Sequence, residues 1–183
     1  MKKILTSALL ASALFLNLNA AEYNLDKSHS SVNFKIKHMS VSNTSGKFND
    51  FDAVIDADSN GKLNKLNATI KVASVDTDNQ SRDSHLQAPD FFNASKFPNM
   101  TFEMSEFKKD KVIGNLNIAG VSKKVELDYE FGGKNTDQKG KEHIGFSLEG
   151  KIKRSDFNFA PSSSTVTLGD EIKISIEVEA IKK

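Results

Sequence analysis

The 183-residue chain carries 25 Lys and Arg against 24 Asp and Glu, a net charge of +1, which gives no electrostatic reason to expect nucleic acid as a partner. It has no cysteine, which excludes disulfide staples, thiolate chemistry and lipid attachment at a mature N-terminal Cys. The length suits one domain with a real core, and 13 Phe against 2 Tyr and no Trp favour dry aromatic surface without a hydrogen-bonding handle.

The first segment, MKKILTSALLASALFLNLNA, has the layout of a secretory signal peptide: two lysines, an apolar run from Ile4 to about Leu16, then small and polar residues. The run is too short to span a bilayer, which takes ~20 apolar residues. Leu18 and Ala20 suit the −3 and −1 positions, so cleavage is expected after Ala20. Residues 21–183 are then expected as one exported domain, periplasmic or secreted, with no integral membrane segment. Loss of Lys2 and Lys3 moves the net charge from +1 to −1.

From there the apolar residues alternate. Val32, Phe34, Ile36 and His38 share one face and Asn33, Lys35 and Lys37 the other. The pattern repeats in Leu66, Ala68, Ile70 and Val72; in Met100, Phe102 and Met104; in Leu116 and Ile118; in Val125, Leu127, Tyr129 and Phe131; in Ile144, Phe146, Leu148 and Ile152; and in Ile172, Ile174, Ile176 and Val178. A period of two marks strands with one face buried and one wet, as antiparallel sheets allow. The reading gives eight or nine strands, near 22–27, 31–39, 46–57, 64–76, 98–108, 111–119, 123–132, 143–154 and 171–181. Turns fall at 59–61, 119–120, 132–133 and 139–140. Phe48 and Phe51 lie on opposite parities, which predicts a bulge near Asn49 and Asp50. The connection 77–97 predicts one or two short helices, RDSHLQA and a turn after Pro89. No helix is long enough to cover a broad sheet, so the sheet must close on itself or pack on a second sheet. Periodicity does not choose between barrel and sandwich.

The stretch SRDSHLQAPDFFNASKFPNMTF, residues 81–102, holds the chemistry-bearing cluster. Arg82 and His85 are three apart and share a face of a short helix. They suit the polar rim of an apolar pocket. Alternatively, Arg82 and Asp83 pin the long connection by ion pairs. As an active site the cluster is weak: Ser84 and His85 are adjacent, but a triad is defined by spatial geometry, and there is no G-x-S-x-G elbow. His29, His38, His85 and His143 show no ligand spacing, so no metal and no cofactor is expected. Arg154 and Asp156 are expected to form an ion pair in a turn or at a mouth.

The segment IKVASVDTDNQSRDSHLQAPDFFNASKFPNMTFEMSEF resembles the signature region of the YceI-like family, the polyisoprenoid-binding, lipocalin-like proteins. DKSHSSVNFKIKHMSVSNTSGKFNDFDAVIDAD, GNLNIAGVSKKVELDYEF and GKIKRSDFNFA followed by VTLGDEIKISIEVEA are similar to the family's opening strands, central hairpin and end. Two positions depart: Ala119, where the family often has His, and Asn158, where it often has Gly. The resemblance implies an all-β fold, an extended eight- to nine-stranded antiparallel lipocalin-like barrel around an elongated tunnel. It also implies an isoprenoid quinone, polyprenyl lipid or long-chain amide as ligand, and a periplasmic homodimer.

On this reading the ligand meets Phe34, Ile36, His38, Ile70, Met100, Phe102, Met104, Leu116, Ile118, Phe146, Leu148 and Ile174 on the dry faces. Phe91, Phe92, Arg82 and His85 meet it from the long connection. Gly114 and Gly150 are expected to leave space in the wall, and Met to adapt to ligand shape. The expected role is a carrier or sequestering protein for an apolar lipid, not an enzyme. The alternatives are a small enzyme acting on that lipid through Arg82, Asp83 and His85, or a stress-related structural protein with a filled core.

Overall fold

The computed structural model describes residues 20–183; the expected signal peptide lies outside them apart from Ala20. Eleven strand segments form one sheet: β1 Ala21–Leu25, β2 Ser31–His38, β3 Ser42–Phe48, β4 Phe51–Ala57, β5 Leu63–Lys71, β6 Val75–Asp76, β7 Asn99–Phe107, β8 Lys111–Ile118, β9 Val121–Thr136, β10 Glu142–Lys153 and β11 Leu168–Lys182. Among the described residues the one α-helix, α1, spans Gln80–Leu86, and 3₁₀ turns cover Val72–Ser74 and Arg154–Phe157. All pairings are antiparallel, and the ring β1-β4-β5-β7-β8-β9-β10-β11 closes by β11 pairing back to β1. The fold is therefore a closed eight-stranded barrel, with β2, β3 and β6 extending it beside β11.

The strand count exceeds the sequence reading because two expected strands break. The expected bulge at Asn49–Asp50 is a full break: β3 pairs with β2, and β4 pairs with β1. The freed backbone is satisfied across the break, Asn49 N–H donating to Ser74 O and Asp50 O accepting from Lys71 N–H. The expected strand 64–76 is likewise interrupted by the 3₁₀ turn before β6. Gly132–Gly133 is not a turn. It bulges a longer β9, so that Phe131 pairs with Phe146 and Gly133 with Gly145, and the reversal comes at Asp137, whose side chain accepts from Lys139 and Lys141 N–H. After Pro89 the chain makes turns rather than a second helix. Ala119 and Gly120 are the two residues between β8 and β9, both with positive φ (49° and 82°). That is the backbone of the hairpin turn whose twist matches the strands. No helix among the described residues is long and apolar enough to cross a membrane.

Two clusters fill the inside. The lower one joins Tyr23, Ile55, Val112, Leu127, Tyr129, Ile144 and Phe146. Tyr129 lies between Phe107, edge-on at 5.0 Å, and Phe146, tilted at 5.4 Å, while its hydroxyl donates to Gly61 O and that of Tyr23 to Glu142 Oε1 at 2.8 Å. Both phenols are satisfied, so burying them costs little. The upper cluster joins Phe48, Ile70, Val72, Phe92, Met100, Phe157 and Phe159. The glycines of the wall do not leave space for a ligand, as the sequence suggested. A Cβ on Gly114 would lie 2.5 Å from the Phe102 ring and one on Gly150 2.4 Å from Leu127 Cδ2, so each lets a neighbouring side chain lie flat.

Strand parity has a direct test. Phe102 is buried and Glu103 exposed. Phe102→Asp should cost several kcal/mol in a denaturant titration, because it buries an unpaired carboxylate. Glu103→Lys should stay within about 0.5 kcal/mol of wild type. Equal losses would mean that the faces are assigned wrongly.

Candidate ligand cavity

Between the clusters lies a cavity of about 690 Å³, within the range of small-molecule sites. Its walls are Phe34 and Ile36 of β2, Ile70 of β5, Met100 and Phe102 of β7, Leu116 and Ile118 of β8, Leu148 of β10 and Ile174 of β11. Leu66, Leu127 and Val178, members of the lower cluster, bound its inner end. Phe91, Phe92, Phe157 and Phe159 cover it from the two long connections. His38, Thr44, Asn79, Ser81, Arg82, His85 and Thr167 supply polar lining at the end capped by α1 and the β2–β3 turn, and Asn33 of β2 and Asp52 of β4 add two polar groups from the strands. Met104 and Phe146, expected on this wall, do not line it. Both belong to the filled lower end, Met104 half-buried there and Phe146 packed at a tilt against Tyr129. Parity tells inside from outside but not height along the barrel.

Helix α1 starts at Asn79, whose side chain accepts from Arg82 N–H at 3.0 Å, an ordinary N-cap. Thr77, buried, then holds the helix to the sheet. Its N–H and hydroxyl both donate to Asp83 Oδ1, at 2.9 and 2.6 Å. Arg82 Nε donates to the Thr77 hydroxyl at 2.8 Å and Nη2 to Thr77 O at 2.7 Å. Arg82 and Asp83 therefore anchor the connection as one sequence reading had it, but through Thr77 rather than by an ion pair. Two of the guanidinium nitrogens are committed to this clamp. His85, exposed at the rim, packs edge-on against Phe91 at 4.7 Å. Asp83, Ser84 and His85 do not assemble as a triad: Ser84 Oγ donates to Gln80 O at 2.9 Å, and Asp83 is taken by Thr77.

The sequence reading missed the second half of the lid. Phe34, Phe48, Phe92, Phe159, Phe91 and His85 form one chain of ring contacts 4.7 to 5.8 Å apart, spacings at which aromatic pairs attract beyond simple burial. Phe157 and Phe159 come from FNFAP, whose two Phe at i and i+2 outside any expected strand were the available signal. Arg154 fixes this segment. Buried at 4% exposure, it donates to the carbonyls of Phe159, Ala160, Ser163, Leu168 and Gly169 at 2.6 to 3.4 Å. The expected ion pair with Asp156 is replaced by this cage; Asp156 is exposed. Asn158, where the family often has Gly, sits at φ 52°, a conformation that Asn tolerates better than most residues.

A closed antiparallel barrel with an apolar internal cavity defines a β-barrel of the lipocalin-like kind. The chain belongs to the YceI-like family, whose domain matches residues 23–180. It is similar to Protein YceI of Salmonella newport (strain SL254), 40% identical over 192 residues and covering 100% of both chains. It is also similar to the Campylobacter jejuni YCEI protein, at 56% identity and a TM-score of 0.76, covering 88% of this chain and 98% of that one. A polyisoprenoid binding domain from Saccharophagus degradans shares the fold at 13% identity and a TM-score of 0.66, covering 88% and 98%.

The Arg154 cage is testable. Arg154→Met keeps the apolar stem but strands carbonyls that are partly or fully shielded from water, at about 1–3 kcal/mol for each group left unsatisfied. It should lower stability by several kcal/mol and open 158–167 to proteolysis first. A wild-type melting curve would show that the cage does not hold the lid.

Proposed function

We propose that the protein binds one elongated apolar ligand of the isoprenoid-like or long-chain type inside the barrel, as a carrier or sequestering protein rather than an enzyme. The observation that carries this is the cavity of about 690 Å³, walled mostly by aliphatic and aromatic side chains, with seven of its polar residues at the lidded rim and Asn33 and Asp52 on the strands. A core selected only for stability packs to a density that leaves few voids larger than a water molecule, so a space of this size in so apolar a wall fits a ligand. The polyisoprenoid binding domain of Saccharophagus degradans supports the reading, as a domain of the same fold that is described as binding this class of molecule. On this account the tail lies along Phe34, Ile70, Phe102, Leu116 and Leu148, and the headgroup reaches His85 and His38. Export to the periplasm or beyond, on the signal peptide expected over residues 1–20, and pairing into a homodimer complete the proposal.

The energetics suffice. Each buried CH₂ contributes about 0.8 kcal/mol, so a dozen carbons gain roughly 10 kcal/mol gross, from which association and ordering remove several. Two terms should separate in calorimetric titrations with a quinone series and hydrocarbons of matched length. Affinity should rise about fourfold per added CH₂ until the cavity is full, then level off. His85→Ala should weaken quinone binding by about 2- to 10-fold, one neutral hydrogen bond, and leave the tail-length slope unchanged. Arg82→Ala should instead lower thermal stability through the Thr77 clamp and weaken quinone and hydrocarbon alike. A flat response to tail length would overturn the proposal; an unchanged quinone preference in His85→Ala would remove the headgroup contact from it.

A further inference from the structure

Five residues, 26–30, join β1 to β2 at the point where β11 changes partner between them. The connection is tied to Glu179 by backbone. Asp26 N–H donates to Glu179 O at 2.8 Å, and Ser30 Oγ both donates to Glu179 O at 3.3 Å and accepts from Glu179 N–H at 3.0 Å. The Glu179 side chain therefore has a fixed root beside Asp26 and His29. The three residues each offer a donor atom, and these atoms lie within 4.8 Å of one another; Asp26 Oδ2 and His29 Nδ1 are 3.0 Å apart. Across β10, His143 Nδ1 meets Glu179 Oε1 at 2.8 Å, and His143 Nε2 stands 3.5 Å from Asp137 Oδ2. That Nε2 is buried and, among the described residues, makes no hydrogen bond. His29, Asp137, His143 and Glu179 border one depression on the outside of the barrel, apart from the ligand cavity.

We propose that Asp26, His29 and Glu179 form a site for one divalent d-block cation of borderline softness, Zn²⁺ in the first instance, with His143 as the positioning residue that orients Glu179. One imidazole and two carboxylates, without sulfur, is a donor set for such an ion. Bonds of about 2.0–2.2 Å from metal to ligand require the donors to re-aim at one centre, the Asp26–His29 hydrogen bond giving way to the ion. His29 is 65% exposed and Glu179 35%, so the side chains have room to do it. Two carboxylates and the divalent ion come to zero net charge. Glu130, Lys134, Asp137 and Glu177 lie further round the same depression. His143, hydrogen-bonded to Glu179 and backed by Asp137, supplies the outer contact that metal-ligating carboxylates ordinarily have. Bound metal would staple the β1–β2 connection to β11, next to Leu25 and Val178 of the cavity wall.

The experiment is calorimetric titration of the EDTA-treated, dialysed protein with ZnCl₂ at pH 7.5, with melting curves for every variant. One equivalent should bind and raise the melting temperature, since an ion that binds only the folded state stabilises it. Affinity should fall as pH drops and protons compete for His29. His29→Ala and Glu179→Gln should each weaken binding at least about tenfold, and His143→Ala by about 10- to 100-fold, the usual loss for an outer-shell partner. His143→Gln, whose amide N–H can still donate, should lose less than His143→Ala. Glu171→Gln, an exposed acid further along β11, should change nothing. No saturable binding up to millimolar Zn²⁺ would overturn the proposal. So would binding that is unchanged in a folded His29→Ala, Glu179→Gln double variant. Unchanged affinity in His143→Ala would remove its positioning role.

Discussion

One strand has to serve two neighbours on the same edge, and the rest of the barrel follows from it. Along one side β11 pairs with β10 through eleven consecutive residues without a register shift, His143↔Ile181 to Lys153↔Glu171. Along the other it pairs with β1 at residues 180–182 and with β2 from Glu177 to Leu168. Between Leu25↔Ala180 and Ser31↔Glu177 the first strand carries five residues where β11 has two. The surplus turns the chain outward at 26–30, and the β3–β4 break at Asn49–Asp50 repeats the turn one strand further round. The lower barrel then closes on itself and fills with side chains. The upper part is extended by β2, β3 and the two-residue β6, and is roofed by connections rather than by strands.

A roof made of connections needs polar anchors, because it has no ladder of its own. Two are present, one for each connection. Thr77 with Asp83 and Arg82 seats α1 at the end of β6, and Arg154 gathers five carbonyls of the 158–170 segment. Arg154 is the costlier device. A buried guanidinium is unfavourable unless its donors are satisfied, and here carbonyl dipoles do that work. Phe91, Phe92 and Phe159 then meet in the middle, so the roof is fixed at its edges by hydrogen bonds and closed at its centre by aromatic contact. The polar rim, His38 and His85, is left at the margin of that closure.

The faces of the strands were legible in the sequence because a period of two is a local property. Phe34, Ile36, Ile70, Met100, Phe102, Leu116, Ile118, Leu148 and Ile174 all line the cavity on parity alone. What parity does not carry is height along the barrel, which is why Met104 and Phe146 fall in the filled end. Glycines misled for a related reason: at Gly114 and Gly150 the missing side chain is occupied by Phe102 and Leu127, a cross-strand contact with no local signature. Arg82 and Asp83 were recognisable as anchors, but their opposite charges suggested a direct pair when the shared partner was Thr77, five and six residues earlier. The Arg154 cage and the grouping of Asp26, His29 and Glu179 were out of reach. The first uses backbone carbonyls, which every residue has, and the second joins residues at opposite ends of the described chain.

The central claim is that the space above the lower cluster holds an apolar chain. Solvent extraction of the purified protein, followed by mass spectrometry of the extract and native mass spectrometry of the intact complex, measures this without assuming a ligand. The account predicts about one apolar, chain-like molecule per barrel, lost from a folded variant in which Leu116→Trp fills the cavity. A protein that emerges with no such molecule and takes up none from a total lipid extract would contradict it.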